Sequence, residues 1–354
     1  MVSLASRFAL SGNPVSVSPY GNGHINNTRL VECDNGIRYV LQQINTSVFH
    51  EPEKLMRNIE MVTSHLRAKT SDPRGVLRLV PARDGSSFVK ESDEYWRVYE
   101  LVTDSVCYQS ANQKRFYESA VAFGRFQNQI ADFPAERLWE TISHFHDTPV
   151  RYETFHRAVR ENCAGKRADV EAEIAFVLSR ESFSHTLMDL QASGDLPLRV
   201  THNDTKINNV LFDIKTDRAL CVIDLDTVMP GLSATDFGDA IRYGTSSAAE
   251  DERDLSRVRF DIDLYQAYVE GYLSTCGKSL TKTEIDMLPF GAKMMALECG
   301  MRFLTDHLAG DVYFHISREN HNLDRARTQF ALLRDMEAHW DEMRRIVENA
   351  EAHL

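Results

Sequence analysis

The stretch Val200 to Asp226, VTHNDTKINNVLFDIKTDRALCVIDLD, limits the folds open to this chain more than any other. His202-Asn203-Asp204 is followed by Asn209, five residues beyond the aspartate. The apolar run Val210-Leu211-Phe212 comes next, then a polar segment from Asp213 to Arg218. A second apolar run, Leu220 to Ile223, ends in Asp224. Two short apolar runs with a polar turn between them read as a β-hairpin. That hairpin would carry Asn209 and Asp224 so that both face the loop holding Asp204.

The spacing H-x-D-x-x-x-x-N is that of a kinase-like catalytic loop. Phosphoryl transfer needs a carboxylate to orient the attacking hydroxyl and accept its proton, and oxygen ligands to hold Mg²⁺ against the ATP phosphates. Asp204 is placed for the first task, Asn209 and Asp224 for the second. Asp and Asn also favour turns, so an ordinary hairpin would show part of this pattern. The apolar strand ending in aspartate fifteen residues after Asn209 favours the kinase reading.

A chain of 354 residues exceeds what one compact core usually holds, so two lobes are expected. Net charge is −12, and no block of Lys and Arg stands out, which argues against nucleic acid and anionic membranes as partners. ATP must then be held by local groups and the metal. The six cysteines show no C-x-x-C pairing, so neither a disulfide framework nor a zinc site is expected. Met1 to Leu10 does not read as a signal peptide, and no window approaches the ~20 apolar residues of a membrane span. The expectation is a cytoplasmic, monomeric enzyme.

Residues 1–102 are mixed and strand-rich, and are expected to form an N-terminal nucleotide-binding lobe. Gly21-Asn22-Gly23 makes a turn whose backbone N–H groups could approach phosphates, and Asp34-Asn35-Gly36 is a hairpin signal between Arg29–Cys33 and Arg38–Gln42. Glu53 to Ala68 carries Leu55, Ile59, Val62 and Leu66 at helical spacing. Tyr95 to Val102 is the last strand of this part. Residues 103–354 turn helical, with helices expected at Phe116–Ile130, at Leu264–Leu273 and around Met294–Leu308, and one long helix from Leu323 to Ala350. The fold class is α+β, a protein-kinase-like bilobal fold with a strand-rich N-lobe and a larger, mostly helical C-lobe. Two other phosphate motifs fail: Gly271 stands six residues before Gly277-Lys278-Ser279 where a P-loop needs five, and Asn26 replaces the third glycine of a dinucleotide fingerprint.

Thr201 to Asn209, together with Val222 to Thr227, resembles the aminoglycoside phosphotransferase and choline kinase family. Within it the chain is most similar to the N-acetylhexosamine 1-kinases. Tyr20 to Asn26, Arg38 to Gln43, Ser143 to Pro149, Asp236 to Asp239, Glu298 to Phe303 and Gly310 to Phe314 also match, so the resemblance covers almost the whole chain. It implies ATP-dependent phosphorylation of the anomeric hydroxyl of GlcNAc or GalNAc, giving the α-1-phosphate. It further implies that His24, Arg302 and Tyr313 contact the sugar. The residues taken alone offer other roles: His24 as a solvated turn residue, Arg302 as an ion-pair partner of Glu298 four residues earlier, Tyr313 as a cap on the core.

One departure from the general kinase pattern stands out. The strand lysine that touches phosphate and pairs with a helix glutamate is replaced by Gln42 or its neighbour Gln43, which bring no charge, so Glu60 would lack an ammonium partner. Adenine is expected against Glu100 to Val102, pairing with backbone groups there. Two rival readings are a kinase for another alcohol (choline, homoserine, methylthioribose or an aminoglycoside) and a non-catalytic nucleotide-binding pseudokinase. The joint presence of Asp204, Asn209 and Asp224 argues against the second.

Overall fold

Alternating strands near the N-terminus pair into an antiparallel sheet in the computed structural model, which describes residues 1–21 and 25–354. A single helical turn, α1 (Val2–Ala5), precedes β1 (Pro14–Pro19), β2 (Asn27–Cys33), β3 (Arg38–Ile44) and helix α2 (Pro52–Lys69). Then come β4 (Leu79–Val80), β5 (Val89–Glu91) and β6 (Glu94–Glu100). The strand order is β1-β2-β3-β6-β4, with β5 on β6. Helix α2 begins with Pro52 in its first turn, where a missing N–H costs nothing, and ends with Arg67 and Lys69 against its carbonyl end.

The sheet has two different faces, and its period of two assigns residues to each. Tyr39, Leu41, Trp96 and Val98 pack outward with Leu4 and Phe8 of the N-terminal segment. Ile44 and Tyr99 pack inward with Leu55, Ile59, Val62 and Leu66 of α2. Gln42 lies opposite Arg97 on that inward face, whereas Gln43 lies opposite Trp96 on the outward one. The pleat thus puts Gln42, not Gln43, on the side of the cleft.

A three-stranded sheet, β10-β9-β7, is built from β7 (Ser105–Cys107), β9 (Val210–Asp213) and β10 (Ala219–Val222); β8 (Arg199–Thr201) pairs with β11 (Met229–Gly231). The rest is helical: α3 (Gln113–Ile130), α4 (Thr148–Glu161), α5 (Glu171–Leu178), α6 (Thr186–Ser193), α7 (Ser233–Gly244), α8 (Ile262–Cys276), α9 (Lys282–Ala309), α10 (His321–Ala338) and α11 (Trp340–Glu351). The expected antiparallel, strand-rich N-terminal part and larger helical C-terminal part are both present. The single helix expected over Leu323–Ala350 is instead two, broken at His339, which takes φ −96 and ψ 13. The break lets the second segment set Met343 and Val347 into the core, where the Met343 carbonyl accepts from Tyr265 Oη at 3.4 Å.

Helix α9 is the spine. Thr281 and Glu284 form a reciprocal capping box at its start, and Gly310, with φ +102, ends it. Its crossing with α7 is so close that a Cβ on Gly291 would stand 2.0 Å from the Ala234 carbonyl oxygen. Only glycine fits there. That contact holds the face of α7 carrying Asp236 and Asp239 beneath the loop after β8.

Six cysteines are unpaired. No helix among the described residues is long and apolar enough to cross a membrane.

Candidate active site

The loop between β8 and β9 is held from below by two carboxylates of α7. Asp236 accepts from the backbone N–H of His202 at 2.9 Å and of Asn203 at 2.6 Å, and from Gln127 Nε2 at 3.0 Å. Asp239 accepts from the Thr205 N–H at 3.1 Å and from Arg242 at 2.8 Å. Backbone donors satisfied this way fix the loop's shape independently of any ligand. Asn203 takes φ +63, one of few non-glycine residues in that region. His202 is fully buried; its Nε2 meets the Ile223 carbonyl at 2.9 Å and its Nδ1 accepts from the Asp204 N–H at 3.3 Å. It therefore ties the loop to the end of β10 and leaves no nitrogen for chemistry.

Three oxygen-bearing side chains meet above this frame. Asn209 Nδ2 donates to the Asp204 backbone oxygen and to Asp204 Oδ2, both at 2.8 Å, so its own Oδ1 points elsewhere. The Ile223 N–H donates to the Asn209 carbonyl at 2.9 Å, which brings Asp224 alongside. Asp224 takes the left-handed conformation, φ +61 and ψ 60, turning its side chain off the strand. Its carboxylate stays open to solvent although protein crowds it on most sides. That crowding, with the Asp226 and Asp204 carboxylates nearby, pushes its pKa up to about 7.

Such a group fits a hard cation. The donors on hand, an amide oxygen and a carboxylate, are oxygen atoms of the type Mg²⁺ prefers. Among the described residues no hydrogen bond steadies Asp224, and the charges of Arg97 and Lys206 only partly offset its burial and its carboxylate neighbours. No cluster of three or more His, Cys, Asp or Glu with metal-site geometry occurs among the described residues. The remaining ligands would be water and phosphate oxygens, as is usual for magnesium with nucleotides.

Lys206, not singled out in the sequence, belongs to this centre. Its Nζ lies 2.7 Å from Asp204 Oδ1, and the pair holds the Asp204 carboxyl below its ordinary value despite burial. The lysine is raised in turn, mainly by Asp204 and Asp239 against the cost of burial. A lysine two residues past the aspartate in an otherwise uncharged loop was the available signal.

A second missed residue is Arg97, which is 1% exposed. It donates to Gln42 Oε1 through Nε at 3.1 Å and Nη2 at 2.9 Å, and to Asp226 Oδ1 through Nη1 at 2.5 Å. Asp226 also accepts from Asn26 Nδ2 at 2.6 Å, which ties the residue just before β2 to the same point. Glu60, on α2, is exposed and faces away from this centre.

The other expected positions fall as follows. Gly21 is exposed with φ +75. Gly23 and His24 lie outside the described residues. Glu100 donates its N–H to the Arg78 carbonyl at 2.9 Å, and the Val102 carbonyl accepts from Ser105 Oγ at 2.8 Å, so those two backbone groups are already used. Arg302 does not pair with Glu298. That carboxylate is fully buried and is taken by His146 Nδ1 at 2.9 Å and Thr148 Oγ1 at 2.8 Å. The Arg302 guanidinium lies instead 5.4 Å from the Phe145 ring centre and 5.5 Å from that of Phe314, with Arg151 close by. Tyr313 does not cap the core: it is 61% exposed, on a loop whose N–H groups from Val312 to Phe314 all donate to Asp306. One carboxylate thus shapes the loop that presents Tyr313 near Arg302, with the Phe314 ring touching both.

Comparison with known proteins places this geometry in context. A family model described as the phosphotransferase enzyme family matches residues 16–275. Among solved structures, a microcompartment-associated aminopropanol kinase superposes with TM-score 0.61 at 17% identity, covering 97% of each chain. An aminoglycoside phosphotransferase from Alicyclobacillus acidocaldarius gives TM-score 0.63 at 14% identity, covering 98% of this chain and 96% of that one. Amicoumacin kinase in complex with AMP-PNP, Ca²⁺ and Ami gives 0.60 at 16%, covering 92% and 91%. At these identities the likeness shows the shared fold.

Proposed function

Because the chain belongs to the phosphotransferase enzyme family, we propose that it is an ATP-dependent kinase of a small alcohol, with the anomeric hydroxyl of an N-acetylhexosamine as acceptor. The observation that carries the kinase reading is the convergence of Asp204, Asn209 and Asp224 on one point above a loop braced by Asp236 and Asp239.

Asp204 accepts a hydrogen bond from the sugar's O1 hydroxyl, aligns it with the γ-phosphorus and takes its proton as the bond to phosphorus forms and the bond from phosphorus to the β,γ-bridging oxygen breaks, releasing ADP. Asn209 keeps the Asp204 carboxylate turned for this and offers its own Oδ1, with Asp224, to Mg²⁺. When bound, that ion neutralises phosphate charge. Lys206 releases Asp204 as the hydroxyl arrives and turns its ammonium to the transferring phosphoryl oxygens. Gly21 and Gly23 let the backbone approach the phosphates, while the Glu100 to Val102 segment lies along the adenine edge. The amicoumacin kinase complex holds an ATP analogue and a divalent cation together, which supports the same pairing here. Positioning and charge, not covalent chemistry, supply the rate.

The charge around Arg302 supports this choice of acceptor. Arg302 and Arg151 stand together; of the carboxylates near them, Glu298 is buried and bonded to His146 and Thr148, and Asp147 is bonded to His144 and the Val150 N–H. Two guanidinium groups repel an ammonium, so an amino alcohol or a polyamine is a poor fit. A neutral, acylated sugar suits Arg302, Tyr313 and His24, which hydrogen-bond without requiring a cation. We further read residues 1–102 as the nucleotide-binding lobe and 103–354 as the catalytic and sugar-binding lobe of a cytoplasmic monomer.

The test is phosphate transfer from ATP with Mg²⁺ to a panel of GlcNAc, GalNAc, glucose, choline, homoserine and kanamycin, with NMR of the product. Phosphate on C1 of an N-acetylhexosamine is expected. Phosphate on C6 would reject the sugar's orientation, and turnover of choline or kanamycin alone would reject the acceptor.

A further inference from the structure

A kinase-like cleft needs a cation on the sheet side of the phosphates, and here the strand position that should supply it holds an amide. The nearest cation on that face is Arg97, directly across from Gln42 in the β3–β6 register. It is 1% exposed, and one donor on each of its nitrogens points inward: Nε and Nη2 to Gln42 Oε1, Nη1 to Asp226 Oδ1. Arg97 therefore cannot reach a phosphate itself. What it does reach is the residue that can.

Two guanidinium donors on one oxygen decide which way the Gln42 carboxamide turns. Its oxygen faces the interior, and its nitrogen faces away, donating one N–H to Thr28 Oγ1 at 3.1 Å and keeping a second. Unconstrained, the amide could present either end, and an oxygen turned to a triphosphate would repel it. The same arginine grips Asp226, two residues past Asp224, so one side chain sets the sheet's phosphate-facing amide and the metal-side turn against each other. Asn26, just before β2, bonds to the same carboxylate. The contact from the α2 helix to this centre is Met56, whose Sδ lies 4.0 Å from Arg97 Nη1, so the helix contributes packing and no charge.

We propose that Arg97 is a positioning residue for nucleotide binding: it holds Gln42 with its amide nitrogen presented to the ATP phosphates and locks the Asp224–Asp226 turn to the sheet. The strand lysine's task is thereby split between an orienting buried cation and a neutral donor. Because the grip runs from strand to turn, bypassing the helix, the cleft needs no helix movement to be assembled. This rests on the kinase reading above.

The experiment is calorimetric binding of AMP-PNP with Mg²⁺, which needs no acceptor, to wild type, Gln42→Leu, Arg97→Met paired with Asp226→Asn, and the triple variant. Removing both charges of the buried pair together avoids stranding a carboxylate, and a thermal melt checks each fold. Gln42→Leu is expected to weaken binding about tenfold, as loss of a hydrogen bond to a charged group does. The Arg97→Met/Asp226→Asn variant should fold and lose a similar factor, and adding Gln42→Leu to it should cost nothing more. In steady state the loss should appear in KM for ATP, with kcat at saturating ATP within about threefold of wild type. Wild-type affinity in the folded Arg97→Met/Asp226→Asn variant, or a Gln42→Leu effect that multiplies fully onto it, would overturn the proposal and leave the kinase reading standing. Failure of wild type to bind AMP-PNP would instead remove the kinase reading and this proposal with it.

Discussion

The side-chain amide of Asn209 donates at 2.8 Å to a carboxylate oxygen of Asp204, and at the same distance to the Asp204 backbone oxygen. One residue therefore fixes both the rotamer of the proposed base and the backbone that carries it. Asp204→Asn would keep the loop, since Asp236 and Asp239 hold its backbone N–H groups, but would present an amide that accepts no proton. Turnover should fall by about 100-fold or more, with nucleotide binding and melting temperature retained. Steady-state kinetics with a binding titration check this. Near-normal kcat in a folded Asp204→Asn would remove the residue from its role.

Arg302 and Tyr313 test the acceptor side. Tyr313 is largely exposed, so Tyr313→Phe should leave stability within about 0.5 kcal/mol. Arg302→Met keeps the apolar stem between Phe145 and Phe314 and removes the donors. Each change should raise KM for the N-acetylhexosamine by about tenfold while KM for ATP stays put. A change in the ATP constant with the sugar constant unmoved would place these residues elsewhere in the cleft.

How far the sequence carries depends on how local the determinant is. The hairpin that brings Asn209 to Asp224 is spelled within one stretch, and the helices over Pro52–Lys69 and Gln113–Ile130 follow from apolar spacing within each. Arg97 gives no such signal. Its partner Asp226 is 129 residues away, and an arginine in an alternating strand reads as a solvated face until the fold sets a carboxylate against it. Arg302 shows the reverse error. Local spacing pairs it with Glu298 one turn earlier, but Glu298 is claimed by His146 and Thr148, 152 and 150 residues distant. The break at His339 escapes periodicity too, because both segments keep a 3.6-residue apolar rhythm and only the packing of Met343 and Val347 requires the bend.

Lys206 should matter to chemistry more than to binding. Its ammonium is within 2.7 Å of Asp204 and 5.8 Å from the Tyr243 ring centre, so it is poised between the base and the space above the loop. Lys206→Met removes a positive charge from where negative charge builds in transfer. We expect kcat to drop about 100-fold with KM for ATP changed by no more than a few-fold. A variant in which only the sugar's KM rises would assign Lys206 to the acceptor instead.

The frame behind the loop makes a prediction about pH. Glu284 is buried and accepts from Arg199 Nε at 2.5 Å and Nη2 at 2.6 Å, and from Ser233 Oγ at 2.9 Å, joining β8, the start of α7 and the start of α9. Although burial alone would raise its pKa, these donors and the Thr281 N–H bring it below the ordinary value. A carboxyl with a folded pKa below its unfolded one contributes stability above the unfolded value, roughly pH 4.3, and loses it as pH falls through the folded value. Glu284→Gln leaves Arg199 without its charge partner, which for a buried pair costs about 3 kcal/mol near neutrality. The gap in melting temperature between wild type and Glu284→Gln should therefore be widest at pH 6 to 7 and close as the wild-type carboxyl protonates below about pH 4. Melts followed by circular dichroism across that range measure it. A gap that stays constant down to pH 3 would mean that the shape of the side chain, not its charge, holds β8 to the spine.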